Sequence, residues 1–441
     1  MGEKSFQEVE AIFRDGVAAV DPVKLVMDAL NLAGSVLTFG GERYDLHTFR
    51  KIFLLGAGKA AGPMAEGAGA VLGCRIAGGV IISPSLPAAS PVMVLRRAAS
   101  HPIPDENGIR AAEELISIAR STGPDDLVIV LLSGGGSALL SAPEAGISLE
   151  DLRGVTETLL KCGVTIGELN AIRKHLSLVK GGGLARLLYP ARVITLILSD
   201  VVGDDATVIA SGPTAPDPTT FRDCLEILNR YKIRERVSFR IREHLEQGMG
   251  GMIPETPDGS DPIFQKIRNI VIGNNRVALM GAAEKARDSG YKTIILSDRV
   301  TGDTRRSAEL HCALAMELSG ASRYGKKPIC LLSGGETTVL VKGSGRGGRN
   351  TEFVLASARE IAGKQGITIL SGGTDGIDSE TPAAGAICDG TTLARGEEFG
   401  LDAAEVLERN DSYTYFQTLD DLLITGPTGT NVMDLRIILV E

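Results

Sequence analysis

Short apolar runs that end in glycine and a polar residue recur along this chain, and they limit its possible folds more than any other feature. Ile52–Leu55, Val80–Ile82, Val92–Leu95, Leu127–Leu132 and Val193–Leu198 read as buried strands, separated by helical patterns such as Ile109–Ser121 and Leu152–Cys162. Strands apolar on both faces pair mostly in parallel beneath helices. The chain therefore reads as layered α/β. A second series follows: Ile270–Ile272, a helix at Ala278–Ser289, Thr293–Leu296, a helix at Ser307–Ser319, Ile329–Leu332, Thr338–Val341, Ile367–Leu370, Leu422–Thr425 and Arg436–Val440. Leu331–Leu332 and Thr338–Val341, separated by SGGET, read as a hairpin that makes the second sheet mixed. Residues 6–38 read as helices, with Asp21-Pro22 marking a start.

A length of 441 residues predicts about two or three domains. Gln247–Pro262 is rich in Gly, Pro and Asp and reads as the linker. The expected division is a Rossmann-like domain with a mostly parallel sheet over 1–247, a linker over 248–262 and a mixed-sheet α/β domain over 263–441. A net charge of −9 and the absence of Trp speak against nucleic acid as a partner. An anionic substrate then needs local basic groups. Six scattered cysteines without a C-x-x-C pair fit neither zinc nor a disulfide framework, and suit a reducing cytoplasm. The N-terminus lacks a signal-peptide core and no apolar run is long enough to span a membrane. The composition leaves a homo-oligomer open.

Polar residues concentrate after the apolar runs. In Ser333–Asp389 the glycines Gly343, Gly345, Gly347 and Gly348 surround Arg346 and Arg349, and a helical pattern starts at Asn350 or Thr351. Such a loop suits phosphate or carboxylate. The strand Ile367–Leu370 leads into Ser371-Gly372-Gly373-Thr374-Asp375, with Asp378 and Glu380 beyond, carboxylates suited to a hard cation between phosphate oxygens. Lys51–Gly62 is a strand, then Gly56-x-Gly58-Lys59, then a helix. It is not a Walker A loop, because Phe53 stands at its first glycine and Ala60 at its Ser/Thr. It matches the looser dinucleotide pattern G-x-G-x-x-A, yet no Asp or Glu occurs between Glu66 and Asp105 to hold a ribose. Lys59 thus reads as neutralising an anionic ligand.

Ser133, Gly134, Gly135, Gly136 and Ser137 offer N–H groups and hydroxyls after the Leu127–Leu132 strand. Arg173, Lys174, His175 and Lys180 precede a glycine run, either as a solvated helix face or as anion-binding groups, and His175 is equally a structural histidine. Asp200, with Asp204 and Asp205, follows Val193–Leu198, and His101-Pro102-Ile103-Pro104-Asp105 is a stiff loop. Two echoes are visible: VITLILSDVVGDD (193–205) against KTIILSDRVTGDT (292–304), and VLLSGGGS (130–137) against CLLSGGET (330–337).

GAGKAA (56–61), HPIPDENG (101–108), LLSGGGSALLSAP (131–143), RKHLSLVKGG (173–182), LSDVVGDDATVIASGPT (198–214), GSGRGGRNTEF (343–353) and GGTDGIDSETPAAGAICD (372–389) together resemble the glycerate 2-kinase family. The likeness runs in order along nearly the whole chain. The resemblance implies ATP-dependent phosphorylation of D-glycerate to 2-phosphoglycerate with Mg²⁺, in a cleft between two α/β domains, the second called the MOFRL domain. Carried over by motif, the family's invariant lysine is Lys59, and its glycine-arginine loop supplies Arg346 and Arg349. Phosphoryl transfer needs in-line positioning and surrounding cations. Lys59 is then expected on glycerate or the γ-phosphate, Arg346 and Arg349 on anionic groups, Asp200 on the attacking hydroxyl, and Asp375 or Asp378 on Mg²⁺. Gly56, Gly58, Ser133–Ser137, His175, Lys180, Gly345, Gly347 and Gly348 complete the expected binding set. Some relatives carry the name hydroxypyruvate reductase, an NAD(P)H-dependent alternative that the missing ribose-binding acid argues against. A non-catalytic sugar-phosphate-binding protein is the other alternative.

Overall fold

In the computed structural model, which describes residues 2–86, 93–320 and 328–441, the chain forms two compact units, Pro22–Ile272 and Met1–Asp21 joined to Gly273–Glu441. Two α/β domains, one mostly parallel and one mixed, bear out the expected fold class.

In the Pro22–Ile272 unit six strands lie in the order Val94–Ala98, Ile76–Ser83, Lys51–Ala57, Asp126–Ser133, Arg192–Leu198, Ile267–Gly273. The four pairings among the first five strands are all parallel. Val92, the first residue of the expected Val92–Leu95 strand, lies outside the described residues. The helix Glu106–Ser121 covers the sheet with Ala111, Ala112, Leu115, Ile116 and Ala119, and Asp105 caps it by accepting from the Gly108 N–H at 2.9 Å. A second apolar cluster, around Leu159, Ile172, Phe221 and Leu228, is built by helices. Three of them, Leu149–Lys161, Ile166–His175 and Phe221–Arg230, start with capping boxes at Ser148/Asp151, Thr165/Glu168 and Thr220/Asp223.

Three expectations change in this unit. The helical reading of 6–38 ends at Ala29, and Asn31–Ala33, Val36–Phe39 and Glu42–Asp45 form an antiparallel meander. Its turns use Gly34 (φ 62°) and Gly41 (φ 81°), and alternate residues Leu37 and Phe39 are buried, a period of two. Ile270–Ile272 is not the first strand of a second series; it lies in the last strand of the first sheet. The segment expected as a linker is packed down: the carboxylate of Glu255 accepts from the Phe221 N–H and faces His175 Nε2 at 3.2 Å, and Pro257 O accepts from the Asp217 N–H at 2.9 Å. Division by packing therefore falls at 21/22 and 272/273.

The other unit's sheet has the order Lys292–Val300, Ile329–Gly335, Asp434–Val440, Ile367–Gly373, Gly385–Asp389, Leu422–Leu423. It is mixed because the terminal strand Asp434–Val440 inserts antiparallel between Ile329–Gly335 and Ile367–Gly373. The expected hairpin does not form. Thr338–Val341 is not a strand, and only Thr338 bridges, to Asp303. The echoed segments lie side by side in each unit: Asp126–Ser133 pairs with Arg192–Leu198, and Ile329–Gly335 with Lys292–Val300, both in parallel. The helix Gly2–Ala18 packs on the helix Asn275–Asp288, where a Cβ on Gly16 would crowd Leu435 and Ala282.

Candidate active site

In the Pro22–Ile272 unit the chain runs from Lys51–Ala57 outward to Val94–Ala98, then returns to begin Asp126–Ser133 on the other side of the starting strand. The order reverses between Lys51–Ala57 and Asp126–Ser133. The crevice at the carboxyl ends of such strands is where open α/β sheets bind ligands. The two loops there are stitched together: the Lys59 N–H donates to Gly134 O at 2.8 Å and the Ala60 N–H donates to Ser133 Oγ at 3.0 Å. Gly58 has φ 144°, and a Cβ on it would collide with Ser133, so the crossing needs glycine.

Asp200 and Lys59 come to the same turn. A Cβ on Gly134 would strike the Asp200 carboxylate, and one on Gly135 (φ 81°) would crowd the His101 ring and the Lys59 stem. Lys59, Asp200, Ser133 and Gly134–Gly136 thus converge, with His101 added. Ser137 follows on the helix Gly136–Leu139 and its hydroxyl lies 2.8 Å from Ser211 Oγ. Gly56 belongs to the strand, where its bare Cα lets it lie against Leu131. It is a packing residue, not a loop donor.

In the basic run 173–180 Lys174, His175 and Lys180 are buried and Arg173 is half-buried, so the run is not a solvated face. Lys174 pairs with the buried Asp217 at 3.1 Å. His175, expected as a ligand group, holds the 255–257 segment instead. Its Nδ1 lies 2.8 Å from Ala171 O, its Nε2 faces Glu255, and its ring stacks edge-on to Phe221 at 4.7 Å. Lys180 is 5% exposed and donates to Leu140 O at 2.9 Å. Burial, with the charge of Arg173 behind it, lowers its pKa to about 7.

The glycine-arginine loop of the other unit differs from an open nest. Gly343 and Gly345 press on the Arg409 backbone, the Gly345 N–H donates to Arg409 O at 2.9 Å and the Gly348 N–H donates to Thr351 Oγ1 at 3.0 Å. Gly347 packs on Ser412, and a Cβ on Gly348 would strike Asp378. The glycines allow close approach, and three of the expected donors are already engaged, the Gly343 N–H with Asn410 Oδ1 at 2.9 Å.

The helix Arg349–Glu360 does hold an anion at its N-terminus, but the protein supplies it. Asp378 accepts from the N–H groups of Asn350 at 3.0 Å and Thr351 at 2.8 Å, and from Thr351 Oγ1 at 2.8 Å. It is 1% exposed, and burial raises its pKa against these hydrogen bonds. This cap replaces the expected metal-ligand role. Asp375 stays at the strand end, half-buried, accepting from the Ile377 N–H at 3.2 Å. Among the described residues no three His, Cys, Asp or Glu side chains gather into a metal-holding group. Mg²⁺ needs only one or two carboxylates when phosphates and water complete its shell, so Asp375 fits that role.

Arg349 is also engaged. Its fork holds Asp434 at 2.7 and 3.0 Å, and Nη1 reaches Glu336 at 2.8 Å. Burial alone would lower its pKa; the charge and hydrogen bonds of Asp434, then Glu336, turn the shift upward. Asp434 also accepts from Asn350 Nδ2 at 3.0 Å and faces the fully buried Arg436, whose guanidinium lies over the Phe353 ring at 5.1 Å. Sequence reasoning missed this network. Glu336 and Asn350 stand within quoted motifs, while Asp434 and Arg436 are polar residues alternating in an apolar strand. Arg346 is exposed; its N–H donates to Asp411 Oδ1 at 2.8 Å, while its guanidinium lies over the Tyr413 ring at 4.6 Å and has no carboxylate partner among the described residues.

The doubly wound sheet with its polar switch-point loops, and a mixed-sheet unit, define the class: a two-domain α/β protein with polar loops at strand ends. Residues 8–246 match a family model described as a domain of unknown function (DUF4147), and residues 329–434 match the MOFRL family. A glycerate 2-kinase of Pyrococcus horikoshii is 38% identical over 97% of this chain and 95% of its own length. An Agrobacterium vitis protein with a provisional hydroxypyruvate reductase name is 42% identical over 88% of this chain and 98% of its own. The crystal structure of a Thermotoga maritima glycerate kinase superposes with a TM-score of 0.86 at 36% identity, covering 100% of both chains. The chain belongs to the glycerate 2-kinase family, which joins a DUF4147 domain to a MOFRL domain. No helix among the described residues is long and apolar enough to cross a membrane.

Proposed function

We propose that this protein transfers the γ-phosphoryl group of ATP to the 2-hydroxyl of D-glycerate, giving 2-phosphoglycerate and ADP. The observation that carries the reading is near-full-length kinship with glycerate kinases, combined with Lys59 and Asp200 converging on one glycine turn at the switch point. Asp200 accepts the proton of the 2-hydroxyl as its oxygen bonds to phosphorus and the bond to the β-phosphate oxygen breaks. Lys59 neutralises charge on the transferred group, and the N–H groups of the Ser133–Ser137 turn orient it. In the other unit, Asp375 is the carboxylate that would hold Mg²⁺ with phosphate oxygens, and the bound metal would supply electrostatic stabilisation of the phosphates. All six cysteines are free, which suits a reducing cytoplasm.

The reductase name among the relatives sets the competing reading. The strand Ile76–Ser83, whose end would carry the ribose-binding acid of a dinucleotide site, has no Asp or Glu. Incubation with ATP, Mg²⁺ and D-glycerate, with the product identified, tests the proposal. The expected product is 2-phosphoglycerate. Formation of 3-phosphoglycerate alone would overturn the regiochemistry, and NAD(P)H oxidation by hydroxypyruvate without phosphoryl transfer would overturn the kinase.

A further inference from the structure

Within the Pro22–Ile272 unit a cavity of about 490 Å³ is walled by Pro102, Ile103, Pro104, Leu152, Val155 and Leu160. Ile103 and Leu160 are exposed, and Arg153 donates to Pro104 O, fastening the proline loop to the helix Leu149–Lys161. Arg173 and Lys180 line the same cavity. Neither has a carboxylate partner among the described residues: Lys180 donates only to a backbone carbonyl, and burial lowers the pKa of both. Ser137 lines it too, immediately after the Gly134–Gly136 turn on which Lys59, His101 and Asp200 converge. The cavity therefore adjoins the candidate site.

Two like charges in a desolvated space without a counter-ion call for an anion from outside. Three-carbon glycerate would leave most of this volume empty and offers no apolar surface to the walls. Cavities of about 300–1,000 Å³ with apolar walls and a few polar groups bury larger ligands with flat apolar parts. We infer that this cavity is the adenine-nucleotide site, with the base and ribose against the Pro102–Pro104 loop and the helix Leu149–Lys161, and phosphate oxygens on Arg173 and Lys180. The inference rests on the kinase reading for the identity of the nucleotide, and assigns nucleotide binding to the Pro22–Ile272 unit.

Calorimetric titration of the full chain with ADP, adenosine and inorganic pyrophosphate separates the parts without requiring turnover. Thr156→Trp narrows the apolar part, since Thr156 lines the cavity half-buried. Arg173→Met removes one cation that no ion pair needs. The expected result is at least about tenfold weaker ADP binding in each variant, the loss of one charge-assisted contact. Adenosine binding should fall in Thr156→Trp and pyrophosphate binding in Arg173→Met, with the KM for D-glycerate moving far less. The two substitutions are independent, so either folded variant decides. Unchanged ADP affinity, or a rise in the glycerate KM with ADP affinity intact, would overturn the assignment and leave the kinase reading standing. ADP binding that responds as expected in a protein that never phosphorylates glycerate would sink the kinase reading and keep the site.

Discussion

Lys59 is a half-buried cation held where two loops cross, and its backbone, not its ammonium group, makes the stitch to Gly134. Removing the side chain therefore leaves the crossing intact. Lys59→Ala is expected to lower turnover by about 10²–10³-fold, the usual loss for one charge-stabilising group, with melting temperature nearly unchanged. A folded variant with near-normal turnover would remove Lys59 from the chemistry. Lys180 differs because it is fully enclosed and its pKa is about 7. A base depressed on folding binds fewer protons in the folded chain than in the unfolded one between about pH 7 and about pH 10.4. Stability from this group thus rises with pH through that window and is lowest below it. Lys180→Met should be more stable than the parent below pH 7, with the difference closing towards pH 10. Melting curves across that range check this, and a constant difference would show that Lys180 stays protonated in the folded chain as it does in the unfolded one.

At the scale of elements, the loop 343–348 and the helix Arg349–Glu360 show how far sequence carries. Glycine and arginine at a helix start read as a site for a phosphate or carboxylate ligand, and the protein's own Asp378 carboxylate occupies that helix end. Sequence could not say that Asp378, almost thirty residues on, fills it, because that depends on how the Ile367–Gly373 strand brings its following turn back. The same holds for Arg349, whose partner Asp434 arrives on the terminal strand. The parallel strands were legible because they are apolar on both faces. The meander at 31–45 was not, since its short strands resemble amphipathic helix ends until the glycine turns are weighed. Asp375 and Asp378 are close in sequence yet differ in environment, one half-buried at a strand end and the other buried as a helix cap. Asp375→Asn should raise the Mg²⁺ concentration needed for activity. Asp378→Asn should leave that dependence alone and lower the melting temperature, by about 1 kcal/mol or more of cap stability. Equal Mg²⁺ effects in both variants would restore Asp378 to the metal.

At the scale of the molecule, the chain's first helix belongs with its last strands. Gly2–Ala18 lies against Asn275–Asp288, a Cβ at Gly372 would strike Phe13, Tyr291 Oη donates to Glu8 at 2.7 Å, and Thr430 Oγ1 donates to Val20 O at 2.8 Å. Val9, Ile12 and Phe13 are fully buried, one apolar face at helical spacing. The Pro22–Ile272 unit has apolar clusters of its own, centred on residues such as Leu55 and Val130 and on Ile172 and Phe221. Removing residues 1–21 should therefore weaken one unit selectively. Deletion exposes Phe13's contacts and leaves a trough along Asn275–Asp288, a loss on the scale of several large-to-small core changes of about 2–5 kcal/mol each. In hydrogen exchange, the amides of Ile367–Gly373 and Asp434–Val440 should lose protection in the truncated protein, while those of Lys51–Ala57 and Asp126–Ser133 keep theirs. Equal loss in both sheets would show that the chain opens as a single cooperative block and that the first helix stabilises all of it.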